Sequence, residues 1–171
     1  MKRILLASLA ATLFLGACKK DKDNKPVTVT VDGKQTTLNV ESAMYSRFTE
    51  GGIRSLTVTA VSADQQSRFI IALYMAGAQG NNVDAKTYPV RRVAGKSFEA
   101  TVYRMERTSN GAYVATNHVG TDGEIVITKG DNGAITGTFN FTLKDESGLT
   151  KLAPMVLQDG KFENVQFKLA N

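Results

Sequence analysis

Ala134-Ile135-Thr136-Gly137-Thr138-Phe139-Asn140-Phe141-Thr142-Leu143-Lys144 is the stretch that decides the fold. Ile135, Gly137, Phe139, Phe141 and Leu143 fall on every second position, and Thr136, Thr138, Asn140, Thr142 and Lys144 fill the places between. A helix turns about 100° per residue and would smear those side chains around its circumference. A strand sends successive residues to opposite faces, so one face of this segment is apolar and the other polar.

The same period recurs outward from there. Val27, Val29 and Val31 alternate with Thr28 and Thr30, and Asp32-Gly33 then supplies two residues suited to the positive φ of a type I′ hairpin turn. Leu38 and Val40 continue on the return strand. Leu56, Val58 and Ala60 alternate with Thr57 and Thr59, and Ile125 and Ile127 lie between Glu124 and Thr128. Phe69 to Met75 (FIIALYM) is apolar on both faces, but it is short and rich in Ile and aromatic residues, which marks a central strand. Two segments lose phase. Phe98, Ala100 and Val102 give way to Tyr103 and Met105, and Phe162 is followed by Val165, Phe167 and Leu169, as a bulge or a sharp bend would require. Glu41 to Glu50 is the one segment with a helical reading, because Met44, Tyr45 and Phe48 would share a face before Gly51. Asp122-Gly123, Asn132-Gly133 and Asp159-Gly160 read as turns.

The expectation is an all-β domain over residues 27–171, an antiparallel meander of about nine or ten strands closing into a β-sandwich or a small, partly closed barrel. Short connections leave no room for parallel crossovers. At 171 residues the chain holds one domain with its own core.

Before that domain lies a leader. Met1-Lys2-Arg3 is positive, and Ile4 to Leu15 (ILLASLAATLFL) is an apolar run of signal-peptide length, well short of the roughly 20 residues of a membrane span. Leu15-Gly16-Ala17-Cys18 follows, and it resembles the lipobox of bacterial lipoproteins. The resemblance implies removal of residues 1–17 as a signal peptide and attachment of lipid, diacylglycerol and commonly a further fatty acid such as palmitate, to Cys18. The residue types suit that chemistry. A protease needs small side chains beside its cut, and a thiol is a good nucleophile near neutral pH. Cys18 is the chain's single cysteine, so no internal disulfide is possible. Residues 18–26 then form a polar tether, KKDKDNKP after the cysteine, with no apolar side chain to join a core. Its extended reach is at most about 28 Å.

Charge excludes one class of function. The chain has 21 Lys and Arg against 16 Asp and Glu, but two of the cations sit in the leader and four more, with two acids, in the tether. That leaves 15 basic and 14 acidic residues from Val27 onward, scattered rather than clustered. The domain carries no footprint for a phosphate backbone, and no nucleic-acid partner is expected.

No catalytic constellation emerges. His118, the single histidine, follows Tyr113-Val114-Ala115-Thr116-Asn117 and precedes Gly120, which reads as a strand end and a surface turn. Asp145-Glu146 are adjacent and would point to opposite faces, and Glu41 and Glu50 stand apart. Gly77-Ala78-Gln79-Gly80 lacks the Lys-Ser/Thr of a phosphate loop, Asp131-Asn132-Gly133 has no further oxygen ligands at calcium-loop spacing, and Arg91-Arg92 flank a connection. No catalytic residue, cofactor or metal is assigned.

Gly133 to Phe141 (GAITGTFNF), Asp159 to Val165 (DGKFENV) and Val31-Asp32-Gly33-Lys34 are together similar to a family of small Bacteroidota lipoproteins catalogued only as a domain of unknown function. That resemblance implies a secreted β fold in the cell envelope, with an outer-membrane anchor, and no activity. In that group, surface display often goes with acidic residues directly after the cysteine. Here Lys19 and Lys20 come first, which leaves the face of the membrane open. The expected function is a non-catalytic, lipid-anchored binding or structural module. A small-molecule carrier and a hydrolase working through carboxylates alone are the rivals. Tyr45, Tyr74, Tyr88, Tyr103 and Tyr113 offer stacking faces for a carbohydrate variant of the module.

Overall fold

A computed structural model describes residues 25–47, 52–76, 80–90, 99–145 and 152–170. Every regular element among them is a strand. In chain order these are β1 (Val27–Val31), β2 (Lys34–Arg47), β3 (Ile53–Ser62), β4 (Ser67–Ala76), β5 (Thr87–Pro89), β6 (Ala100–Arg107), β7 (Tyr113–Lys129), β8 (Ala134–Asp145), β9 (Met155–Gln166) and β10 (Lys168–Leu169).

The sheet runs β1-β9-β8-β7-β6-β4-β3-β2, and β1 also pairs with β2. Eight antiparallel strands therefore close on themselves as an up-and-down barrel, which removes the sheet edges a sandwich would leave exposed. β10 adds to β2 in parallel, and β5 adds to β7. The two short strands serve a purpose set by length. β6 pairs with β7 from Tyr113 to Val119, and β5 takes over the same edge from Glu124 to Val126. β1 pairs with β2 from Lys34 to Leu38, and β10 covers Met44 and Tyr45 above it.

The alternation read from sequence sets the register. Ile135, Phe139, Phe141 and Leu143 of β8 are all buried, opposite Val165, Gly160 and Leu157 of β9 and Ile125 of β7. The β1–β2 hairpin turns on Asp32 and Gly33, both at positive φ (48° and 79°). The chain turns again at Asn132-Gly133 between β7 and β8. Phe69 to Met75 lies in β4, between β3 and β6.

Of the two predicted breaks in phase, one is a bulge: β9 shifts against β8 between Phe162 and Val165. β6 keeps its alternation and its register with β4, with Tyr103 on the outer face, and the extra residues opposite Tyr103 and Met105 lie in β7. Phe98 lies outside the described residues.

Four expectations are corrected. Glu41 to Arg47 is strand, and residues 48–50 lie outside the described set. The bulge between Val40 and Ser42 moves the inward set from Leu38 and Val40 to Ala43 and Tyr45, which breaks the period-two signal. Asp122-Gly123 lies within β7 just after a bulge at Thr121, and Gly123 has φ +121°, where a Cβ would meet Asn140 O at 2.2 Å. Asp159-Gly160 is a bulge within β9, with Asp159 at φ 54°. The residue types that favour hairpin turns also serve bulges, because both need positive φ. His118 lies inside β7 and not in a turn.

Candidate functional site

An eight-stranded barrel is just wide enough either to be filled by side chains or to hold one small ligand. Here aromatic side chains meet inside it. The Phe139 ring lies on Gly160 of the neighbouring strand, where an added Cβ would meet it at 2.2 Å. Phe141 stacks on Phe139 at 5.2 Å, and Phe162 tilts against the same ring at 4.9 Å. Tyr45 stacks on Phe167 at 5.6 Å. These rings join Leu38, Leu56, Ile71, Ile125 and Leu157 in one continuous core.

One end of the barrel is crossed by residues 82–83, in the described stretch 80–90 between β4 and β6. Val83 donates its N–H to Gly130 O (2.7 Å) at the end of β7, and the Tyr45 hydroxyl of β2 donates to Asn82 O (3.3 Å). Since β2 and β7 are four strands apart in either direction around the barrel, residues 82–83 span its mouth. Val83, Tyr88 and Val90 are fully buried beneath that span. The Tyr88 hydroxyl donates to Asp84 O (2.9 Å), and burial pushes its ionisation well above the usual tyrosine value.

The other end is polar. Arg104 lies opposite Phe69 on the inner face, and its Nε and Nη2 donate to Ser67 Oγ at 3.3 and 3.2 Å. Its Nη2 also pairs with Glu106 at 2.7 Å. His118 is 2% exposed, where a surface turn was expected. It faces the inside together with Gly120, two residues further along the same strand, and Nε2 lies 3.1 Å from Ala153 O. A carbonyl only accepts, so Nε2 carries the proton and Nδ1 is a bare acceptor, buried without a hydrogen-bond partner.

Among the described residues, each acid and base singled out from the sequence has its own surroundings. His118 pairs in register with Asp145, yet its bonded partner is a backbone carbonyl and its other nitrogen has none. Asp145 ends β8 and accepts the Leu152 N–H at 3.4 Å, whereas Glu146 is outside the described residues. Glu41 is on the outer wall, paired with Arg68 at 2.9 Å. Arg91, Arg92, Glu50 and Cys18, with the whole leader and the tether as far as residue 24, also lie outside the described residues. Among the described residues no group of three His, Cys, Asp or Glu is placed to hold a metal. Tyr45 and Tyr88 are buried and offer no stacking face, Tyr113 is covered by the Arg68 guanidinium at 3.8 Å, and Tyr103 is exposed.

Outside the barrel, beside the plugged end, lies a polar groove of about 240 Å³. The β7–β8 turn contributes Lys129, Asp131 and Asn132, β8 contributes Ala134 and Thr136, and β9 contributes Asn164 and Gln166. Lys129 and Asp131 pair at 3.6 Å, and Asp131 Oδ1 is buried without a hydrogen bond. Sequence reasoning treated Asp131-Asn132-Gly133 as a turn and nothing more. The groove joins residues more than thirty positions apart, and only the β8–β9 register brings them together.

Comparison with known proteins is consistent with a family that carries no assigned activity. A family model described as a domain of unknown function (DUF6252) matches residues 29–166. No curated protein and no solved structure matches the chain.

Proposed function

The chain belongs to the DUF6252 family, and from that premise we propose that it is a lipid-anchored module of the cell envelope that binds through its outer surface and performs no catalysis. The filled interior carries the reading. Phe139, Phe141 and Phe162 occupy the space that a carrier would keep for its cargo, and residues 82–83 cross the mouth through which cargo would enter. The polar end does not serve a hydrolase either, because Arg104 is engaged by Ser67 and Glu106 and His118 by Ala153.

Anchoring rests on Leu15-Gly16-Ala17-Cys18, where a thiol follows a signal-length apolar run. Two or three acyl chains give stable attachment where one is marginal. β1 begins at Val27, immediately after the tether, so the barrel stands within about 28 Å of the headgroups.

Expression of the full chain in bacterial cells with Cys18→Ser tests the anchor. The wild type partitions into the detergent phase of a two-phase extraction, and the variant moves to the aqueous phase. A Ser variant that stays with detergent contradicts lipid attachment at Cys18. The apolar fluorophore N-phenyl-1-naphthylamine tests the carrier alternative. Saturable, stoichiometric enhancement of its emission would replace the module with a carrier.

A further inference from the structure

The outer groove is built around Thr136 by distortions in both strands that flank it. On one side β7 inserts Thr128, so that Ile127 faces Gly137 while Lys129 faces Thr136. On the other, β9 inserts a residue between Phe162 and Val165. The Thr136 carbonyl accepts the Thr128 hydroxyl (3.2 Å), and the Thr136 hydroxyl accepts the Asn164 N–H (3.2 Å). A bulge re-aims side chains, and here two of them aim at one spot. Asn164, in the β9 bulge, has φ +53°, and Asn132, in the β7–β8 turn, has φ +52°. Two side-chain amides on separate segments are thus held by positive-φ backbone at the rim of one groove.

Its lining selects the chemistry of an occupant. Ala134 is the one apolar residue, so a hydrophobic ligand gains little. Lys129 is balanced by Asp131, which disfavours a simple anion and a bare cation alike. β8 is paired along both edges by β7 and β9, so an extended peptide has no free strand edge to join. What remains is a carboxylate that accepts, its Oδ1 held only by the 3.6 Å ion pair with Lys129, and amide and hydroxyl groups that both donate and accept. We infer that this groove binds an uncharged polyhydroxylated ligand, the chemistry of a neutral saccharide unit, with Asp131, Asn132 and Asn164 bonding to its hydroxyls. This deepens the outer-surface binding reading and rests on it.

The test is a printed array of neutral oligosaccharides ending in glucose, galactose, mannose or N-acetylhexosamine, probed with the full-length lipidated protein in detergent micelles. Asn132→Gly and Asn164→Gly remove the amides while keeping backbone that glycine adopts freely. Binding to at least one neutral glycan is expected, with each variant weakening it about three- to tenfold, the worth of one net hydrogen bond. The thermal midpoints should stay close to wild type. A blank array, binding confined to acidic glycans, or full binding by the double variant each overturns the inference. N-phenyl-1-naphthylamine in the same samples separates the two levels. If it stays out while the array is blank, the saccharide inference fails and the outer-surface module stands. If it enters the barrel, the module reading itself fails.

Discussion

The two ends of the barrel are closed by different physics. At the plugged end, Val83 extends the apolar core over the mouth above Tyr88, and two hydrogen bonds pin residues 82–83 to opposite walls. At the other end, the inner face turns polar at Ser67, Arg104 and His118, which are satisfied by one another, by Glu106 and by the Ala153 carbonyl. The plug gains from the hydrophobic effect, which is non-directional and scales with area. The polar end depends on a few directional contacts, and its largest liability is the His118 Nδ1 buried without a partner. The difference locates function. Among the described residues neither end presents an apolar entry, and the proposed recognition surface is accordingly the wall.

That contrast gives expectations of decreasing size. Phe139→Ala in mid-barrel and Tyr88→Ala in the plug should each cost about 3–5 kcal/mol in denaturant melts, because both leave a ring-sized void among fully buried neighbours. A Tyr88→Ala cost under about 1 kcal/mol would show that the plug is a loop lying on the barrel and no part of its core. At the polar end, His118→Gln should cost about 1–3 kcal/mol, since the shorter amide must recover the bond to Ala153 O inside a buried site. No change on that substitution would return His118 to the surface.

Tyr88→Phe is smaller, about 1 kcal/mol at neutral pH, for the bond to Asp84 O. Its pH dependence is more telling. The folded hydroxyl ionises well above 10.0, the value expected of an unfolded tyrosine. Below pH 10.0 both states are neutral and the stability is fully present. As pH rises past that value the unfolded chain ionises first, and stability is lost progressively. Tyr88→Phe should therefore flatten the alkaline limb of a stability–pH curve. An identical alkaline limb in wild type and variant would mean that Tyr88 is solvated.

Much of this molecule is legible in its sequence wherever a strand keeps its phase. Ile135 to Leu143 has uninterrupted alternation, and every inward position it marks is buried. Val27 to Lys34 is as clear, because Asp32-Gly33 fixes the hairpin register. Legibility fails at bulges. A single extra residue near Glu41 inverts the pattern of β2 and imitates helical spacing around Met44 and Tyr45. Positive φ at Gly123, just after the Thr121 bulge, and at Asp159, in the β9 bulge, draws on the residues of turns, which cuts β7 and β9 into apparent pairs of short strands. His118 was misplaced because β7 runs on through Gly120 and Gly123, so that the residue read as a strand end lies inside a long strand. Closure into a barrel depends on the β1–β2 and β1–β9 pairings together, and the second joins strands from opposite ends of the chain. The groove was illegible for the same reason. Asn132 reads as an ordinary turn residue, and Asn164 is part of the Asp159–Val165 motif with no role of its own until register places them together.

The filled interior is the claim on which the functional reading depends, and native mass spectrometry of the full-length protein, extracted from its membrane in mild detergent, tests it most directly. The account predicts a mass equal to the chain from Cys18 onward plus its covalent acyl groups, with no further component that gentle activation removes. A stoichiometric apolar molecule, released on activation and retained by Cys18→Ser protein purified without detergent, would contradict it.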